Sequence, residues 1–333
     1  TVAADCFCLS GIFHGPIAYI CLMTNISPIV PGDKIRIVSP AGKIAEQYVL
    51  PAVEWFRQQG FRVELGANVF ARHYQFAGTD QQRLYDLQQA LDDPDCKAII
   101  CSRGGYGSLR LVNRLKLSAF MKQPKWLVGF SDITVLHSML QYYRIPSIHG
   151  AMPRFFFTGN GLPNENLNSL MQLLMGNGPG YVIKPHEMDR NGSASGELIG
   201  GNLSLIASLM GTPYEAVTRG KILFLEEIDE YLYHTDRMLQ QLKLSGKLDQ
   251  LAGLVIGSFT NMKDNEEPFG KDIPEIVLDA VGDFSYPVCF GFPAGHDQLN
   301  LALAFGHTYS LEVGPYQSSL SPGRQVVSKK QPL

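Results

Sequence analysis

Residues Trp126 to His137, reading WLVGFSDITVLH, set a serine where it can act as a nucleophile. Trp126-Leu127-Val128-Gly129 is a short apolar run suited to a buried strand. From Asp132 onward, Ile133, Val135, Leu136, Met139 and Leu140 recur at helical spacing. Ser131 therefore falls on a strand-to-helix turn. Such a turn exposes a side-chain oxygen while the first amides of the next helix remain free to meet charge developing on the attacked group. Asp132, in the first helical turn, suits the positive end of the helix dipole. A second reading needs no chemistry: serine is a common N-cap, and Ser131 capping the helix fits the same pattern.

A nucleophilic serine needs a base, and the base needs an acid to orient it. Eight histidines are available. His73, His186 and His307 lie in polar or turn contexts and read as surface residues, while His14 lies in an N-terminal stretch set apart below. His137 is nearly two helical turns from Ser131, His149 sits at another strand end, and His234 is near the start of an amphipathic helix. His296 follows a buried strand on a loop, next to Gly295, which is a good position for a general base. Among the acids, Glu226 directly follows the apolar run Leu223-Phe224-Leu225 and is expected to be partly buried and aimed. Glu227, Asp229 and Glu230 read as solvated or as lying near the start of the helix that follows. No HExxH or other paired His/carboxylate spacing accompanies this cluster, so no metal or other cofactor is expected.

These residues must be positioned by a scaffold, and from Asp33 strands and helices alternate. Strands are expected at Lys34 to Val38, Phe61 to Leu65, Lys97 to Cys101 and Trp126 to Gly129. A helix carrying Val53, Trp55 and Phe56 closes at Gly60, with Pro51 in its first turn. Thr79 and Gln82 have the form of a capping box opening a second helix, and a third is expected from Ser108. This alternation indicates a parallel sheet covered on both faces, where ligands bind at the carboxyl ends of the strands. Ser39, Gly104 and Ser131 all lie at such ends. Further on, strands are expected at Lys221 to Leu225, Leu254 to Phe259, Pro287 to Gly291 and Thr308 to Val313, with a helix through Arg237, Leu239 and Leu242.

The chain of 333 residues is 45% hydrophobic and 18% charged, with a net charge of −3, which suits a soluble two-domain protein. No Lys/Arg cluster with interleaved aromatics suggests a nucleic-acid surface. The six cysteines include no CxxC pair, which argues against a disulfide framework or zinc knuckle and fits a reducing, cytoplasmic setting. Residues 1–22 are apolar but lack Lys and Arg and are broken by Gly15-Pro16, so they suit neither a signal peptide nor a membrane span. They read as a poorly ordered leader or expression-derived segment ahead of Met23, with an exported leader as the alternative. The expected organisation is an N-terminal domain over 30–155, an Asn/Gly/Pro-rich connection over 156–190 and a C-terminal domain over 191–325.

Several ordered motifs carry a resemblance over nearly the whole chain: Val38-Ser39-Pro40-Ala41-Gly42, Phe76 to Thr79, Arg103-Gly104-Gly105-Tyr106-Gly107, Gly129 to Thr134, His149 to Met152, Gly200-Gly201-Asn202-Leu203, Gly211 to Pro213, Leu225-Glu226 with Arg237 to Leu239, and Gly295-His296. Together they resemble the LD-carboxypeptidase family, the muramoyl-tetrapeptide carboxypeptidases. The resemblance implies an α/β fold: an N-terminal Rossmann-like domain with a mainly parallel sheet, a smaller β-rich C-terminal domain, and an active site at their interface. It implies a metal-free Ser-Glu-His set, here Ser131, Glu226 and His296. Ser131 departs from the GxSxG elbow of general hydrolases, since Ile133 stands where that motif has glycine, but matches the family's own GxSD pattern. The oxyanion donors implied are the Asp132 amide and one from Gly104 or Gly105, although those glycines also suit a simple tight turn. Arg103, Tyr106 and Asn202 are the candidate substrate-binding residues, with Arg110 and Arg154 as further candidates for the terminal carboxylate.

The activity implied is hydrolysis of the bond between the diamino acid and the terminal D-alanine of murein tetrapeptides, in cell-wall recycling, by a cytoplasmic homodimer acting on a tetrapeptide or muropeptide, with no nucleic-acid or membrane partner. One alternative within the fold is a microcin C immunity-type peptidase cleaving an acyl-adenylate analogue, with Phe155, Phe156 and Phe157 as a possible platform for the base. The alternative of another class is a ligand-binding protein without turnover.

Overall fold

The computed structural model describes residues 26–323, so the 1–22 segment and Met23 lie outside the described residues. The first half runs β1 (Lys34–Val38), α1 (Glu46–Gln58), β2 (Arg62–Leu65), α2 (Asp80–Asp92), β3 (Cys96–Cys101), α3 (Ser118–Lys122), β4 (Trp126–Gly129), α4 (Thr134–Tyr142) and β5 (Ser147–His149). There follow α5 (Glu165–Leu174), β6 (Tyr181–Ile183), β7 (Gly192–Asn202), α6 (Leu203–Ser208), β8 (Ile222–Ile228), α7 (Leu232–Leu244) and β9 (Gly253–Thr260). The chain ends with α8 (Ile273–Val281), β10 (Val288–Cys289), β11 (Leu303–Phe305), β12 (Thr308–Val313) and β13 (Ser318–Pro322).

Two sheets result. The first has the order β11-β5-β4-β3-β1-β2, parallel from β2 to β5 and closed by the antiparallel β11. Its central strands β3 and β4 are almost wholly buried, as a sheet covered on both faces requires, whereas the edge strand β2 is partly exposed. The strand order reverses between β1 and β3, the switch point where doubly wound sheets open a crevice. The second sheet has the order β10-β9-β8-β7-β12-β13-β6 and is parallel from β10 to β7, then antiparallel to β6. The whole is a mixed α/β fold with a mainly parallel first sheet and a second, mixed sheet.

Local chemistry explains most elements and corrects several expectations. The Thr79–Gln82 capping box forms as expected, Gln82 N donating to Thr79 Oγ1 at 3.3 Å and Thr79 N donating to Gln82 Oε1 at 2.9 Å. Pro51 lies inside α1 rather than in its first turn, because the helix begins earlier, at Glu46. The helix expected from Ser108 is two short 3₁₀ turns, Ser108–Arg110 and Val112–Arg114, before the brief α3. The stretch 156–190 is not all loop: α5 is capped by Asn164 and buries Leu167, Leu170 and Leu174. β7 is glycine-rich and has little intrinsic strand preference, yet it pairs along its length with β8 and β12. Gly200 is required there, since a Cβ on it would lie 1.8 Å from the Phe224 carbonyl oxygen.

The two sheets share a core. Phe224 of β8 packs edge-on to His149 of β5, with ring centroids 5.0 Å apart, and Phe305 of β11 lies beside both. β11, from late in the chain, completes the first sheet by pairing Leu303 with His149. The carboxyl ends of β4 and β8 are thereby brought to one place.

Candidate active site

At the end of β4 the backbone is extended at Phe130 and then turns sharply at Ser131, which takes φ 64°. That left-handed conformation is uncommon for a residue with a Cβ, and it points to a functional constraint. Ser131 Oγ caps nothing. Its hydroxyl donates to His296 Nε2 at 2.9 Å, so the capping reading gives way. His296 Nδ1 in turn donates to Glu226 Oε2 at 2.6 Å. A carboxylate accepts only, so Glu226 fixes the tautomer that leaves Nε2 free to receive the serine proton.

Burial sharpens this chain of bonds. The Glu226 side chain is wholly buried and that of His296 nearly so. Burial by itself would lower the imidazole pKa, but the hydrogen bond and charge of Glu226 outweigh it, so His296 is held above its ordinary value. Phe130 packs tilted against the His296 ring, 4.9 Å between centroids, and limits its movement. Gly295 lets the loop come close: it has φ 124°, and a Cβ there would lie 2.9 Å from Glu226 Cβ and 2.4 Å from Ser258 Oγ.

The glycine turn Gly104–Gly107 forms the opposite wall. A Cβ on Gly104 would lie 2.8 Å from Ser131 Cβ and 3.0 Å from its Oγ, so only glycine fits beside Ser131. The Gly104 carbonyl accepts from Gly42 N at 2.9 Å, which fixes the peptide plane leading to Gly105. Asp132 is buried and its Oδ2 accepts from Ser108 N at 2.8 Å, tying this turn to the residue after Ser131. Burial raises the pKa of that carboxyl.

The other predicted residues separate into distinct roles. Tyr106 is exposed on the glycine turn. Arg103 is exposed and donates to the Lys43 carbonyl at 2.7 Å. Arg110 binds the Asp80 carboxylate through Nε and Nη2, which engages its guanidinium elsewhere. Asn202 is buried, caps α6 through Oδ1 and donates from Nδ2 to Glu227 Oε1 at 2.7 Å, so both ends of its amide are occupied by protein. Glu227 is not solvated as expected. It is buried, and besides Asn202 it accepts from Ser204 N, Ser204 Oγ and Ile228 N. Side chains alternate along a strand, so neighbouring carboxylates on β8 serve different faces.

Three of the other histidines are packed into the fold. His137 is buried, its Nε2 donating to the Gly129 carbonyl at 2.9 Å and its Nδ1 accepting from Ser147 Oγ at 2.8 Å; burial lowers its pKa to about 4. It thus braces the end of β4, two residues before Ser131. His149 is fully buried among Phe130, Phe224 and Phe305, and burial holds it well below the ordinary histidine range. His307 is half-buried against Trp126 rather than on the surface. Of the three consecutive phenylalanines, Phe155 is exposed and packs on Phe130, whereas Phe156 is in the core. Among the described residues no group of three or more His, Cys, Asp or Glu side chains converges to hold a metal ion, and no helix is long and apolar enough to cross a membrane.

Sequence comparison agrees with this architecture. Residues 35–150 match the model of the LD-carboxypeptidase N-terminal domain, and residues 195–311 match that of the LD-carboxypeptidase C-terminal domain. The chain is 34% identical over 281 residues to a probable murein peptide carboxypeptidase of Bacillus subtilis, covering 83% of this chain and 87% of that protein. It is 33% identical over 292 residues to the murein tetrapeptide carboxypeptidase of Pseudomonas aeruginosa, covering 84% and 93%. The crystal structure of muramoyltetrapeptide carboxypeptidase from Oxalobacter formigenes superposes with a TM-score of 0.78 at 30% identity, covering 87% of this chain and 98% of that one. The microcin C7 self-immunity protein MccF shares the fold, with a TM-score of 0.78 at 20% identity over 91% of this chain and 99% of that one. The chain belongs to the LD-carboxypeptidase family.

Proposed function

We propose that the protein is a serine carboxypeptidase that removes the terminal D-alanine from murein tetrapeptides. The observation that carries this reading is the continuous chain Ser131–His296–Glu226, with links of 2.9 and 2.6 Å. His296 takes the Ser131 proton as Oγ attacks the amide carbonyl, and Glu226 stabilises the imidazolium without accepting its proton. The oxyanion is met by the Asp132 amide and by an amide of the Gly104–Gly105 turn, donors worth about 3 kcal/mol each in comparable sites. His296 then protonates the departing amine, and water, activated by the same imidazole, releases the acyl group from Ser131.

The substrate class is supported by relatives named for murein peptides at 33–34% identity, whereas the microcin C7 immunity protein matches at 22%. A complete hydrogen-bonded triad also favours turnover over simple binding. With such a substrate the enzyme serves cell-wall recycling in the cytoplasm. Mass spectrometry of a muramoyl-tetrapeptide incubated with the protein, beside a Ser131→Ala control, tests the reading. D-Alanine released by the wild type alone supports it. No release from folded wild-type protein would overturn it in favour of an acyl-adenylate substrate or a binding role.

A further inference from the structure

Beside the triad, at the switch point between β1 and β3, lies a cavity of about 220 Å³ whose rim includes Lys43, Tyr48, Arg72, Arg103 and Arg154. Four cations therefore converge on one small space, and no Asp or Glu lines it. This is unusual in a chain whose net charge is −3. Other cations nearby are neutralised: Arg83 and Arg110 both pair with Asp80. None of the four pocket cations forms an ion pair among the described residues. Like charges gathered without counter-charges repel one another and raise the local positive potential, which an incoming anion relieves.

The cations are also oriented. Arg103 is fixed by its bond to the Lys43 carbonyl, and the Arg154 guanidinium sits over the Tyr48 ring, 5.0 Å from its centroid. Stacking holds the guanidinium plane while leaving its edge N–H groups free for the forked geometry that suits a carboxylate. The cavity also adjoins the nucleophile through two short steps. Lys43 follows Gly42, whose N–H bonds the Gly104 carbonyl, and a Cβ on Gly104 would lie 3.0 Å from Ser131 Oγ. Arg103 directly precedes that same glycine.

We propose that this pocket binds a carboxylate of the peptide substrate, through Arg103 and Arg154 with Lys43 and Arg72 adding positive field. The inference rests on the peptidase reading above and names the part of the site that recognises charge. The carboxylate has two possible sources, that of the departing residue and one borne by an interior residue. Titration calorimetry on the Ser131→Ala protein tests the pocket without turnover. The probes are an intact D-alanine-terminated tetrapeptide and analogues in which each carboxylate in turn is a carboxamide.

Arg103→Gln and Arg154→Gln, singly and together, should weaken binding of the intact tetrapeptide, the pair by roughly thirtyfold or more. One carboxamide analogue should bind parent and double variant alike, and its identity names the carboxylate held. Equal binding of the intact tetrapeptide by parent and double variant would overturn the pocket alone. So would a loss of the same size for every analogue, because it would report only a general field. Failure of the Ser131→Ala protein to bind any tetrapeptide would overturn both the pocket and the reading beneath it. Arg72→Gln, at an exposed side chain, should give a smaller loss in the same direction.

Discussion

The carboxyl ends of β4 and β8 perform opposite tasks with the same kind of parallel strand. At β4 the chain leaves its strand abruptly, and the left-handed turn at Ser131 throws one side chain out toward His296. At β8 the strand continues past the site, and its alternation sends two adjacent carboxylates to different partners. Glu226 meets the imidazole, whereas Glu227 holds the start of α6 through Asn202 and Ser204. A nucleophile must protrude to be reached, which calls for a strained turn. An orienting carboxylate must be buried and held, which calls for regular strand.

The sharpest break in this comparison is Ser131→Ala. It should lower D-alanine release by at least about 10⁴-fold with no loss of folding, since loss of a triad nucleophile leaves only the residual effect of the oxyanion site. Chromatographic assay of D-alanine with a thermal melt beside it checks both halves. On β8 the two carboxylates should part company. Glu226→Gln should reduce kcat by about 10⁴-fold by favouring the wrong imidazole tautomer, with stability little changed.

Glu227→Gln should do the reverse. It leaves most of kcat intact and costs about 1–3 kcal/mol of unfolding free energy, because four donors then face an amide in place of a carboxylate. Denaturant titration and steady-state kinetics on the two variants give the comparison directly, and matching profiles for both would refute it. Gly104→Ala tests the wall opposite the nucleophile. A methyl group there meets Ser131 Cβ and Oγ, so kcat should fall by about 10²-fold with the triad otherwise intact.

The smallest effect is the pH profile. His296 must be neutral to act as base, and Glu226 raises its pKa. The acid limb of kcat/KM should therefore fall above the ordinary histidine value of about 6.5, with activity lost as pH drops through it. In Glu226→Gln that limb should move to lower pH. The same shift has the opposite sign for folding. An imidazole whose folded pKa is raised contributes stability that is fully present below the unfolded pKa and lost as pH rises through the folded one. Melting temperature followed upward from pH 6 should register this decline in the wild type and less of it in Glu226→Gln.

Much of this was legible in the chain itself. The apolar run Trp126 to Gly129 is a strand because a doubly covered sheet requires continuous hydrophobicity, Lys34 to Val38 places Ile35, Ile37 and Val38 in the core, and the Thr79–Gln82 box forms because it satisfies two orphan amides locally. The box at Asp272 and Glu275 that opens α8 obeys the same rule and carries the same readable signal. The motif order likewise named Ser131, Glu226 and His296, and the structure brings those three together.

Tertiary contact decided the rest. β7 contains too many glycines to declare itself and becomes a strand because β8 and β12 flank it. Glu227 looks like a surface acid beside Glu226 until α6 packs its N-terminus over it. Asn202 lies within a motif at the site, yet its amide is claimed by that helix and by Glu227. The four cations around Tyr48 come from positions 43, 72, 103 and 154, and no local pattern records that they share one cavity. Local sequence thus determined the caps and turns whose hydrogen bonds close within a few residues, and the apolar runs that must be buried. Only the packed chain decided which distant charges meet and which are buried in pairs, because that energy depends on groups brought together across the sheets.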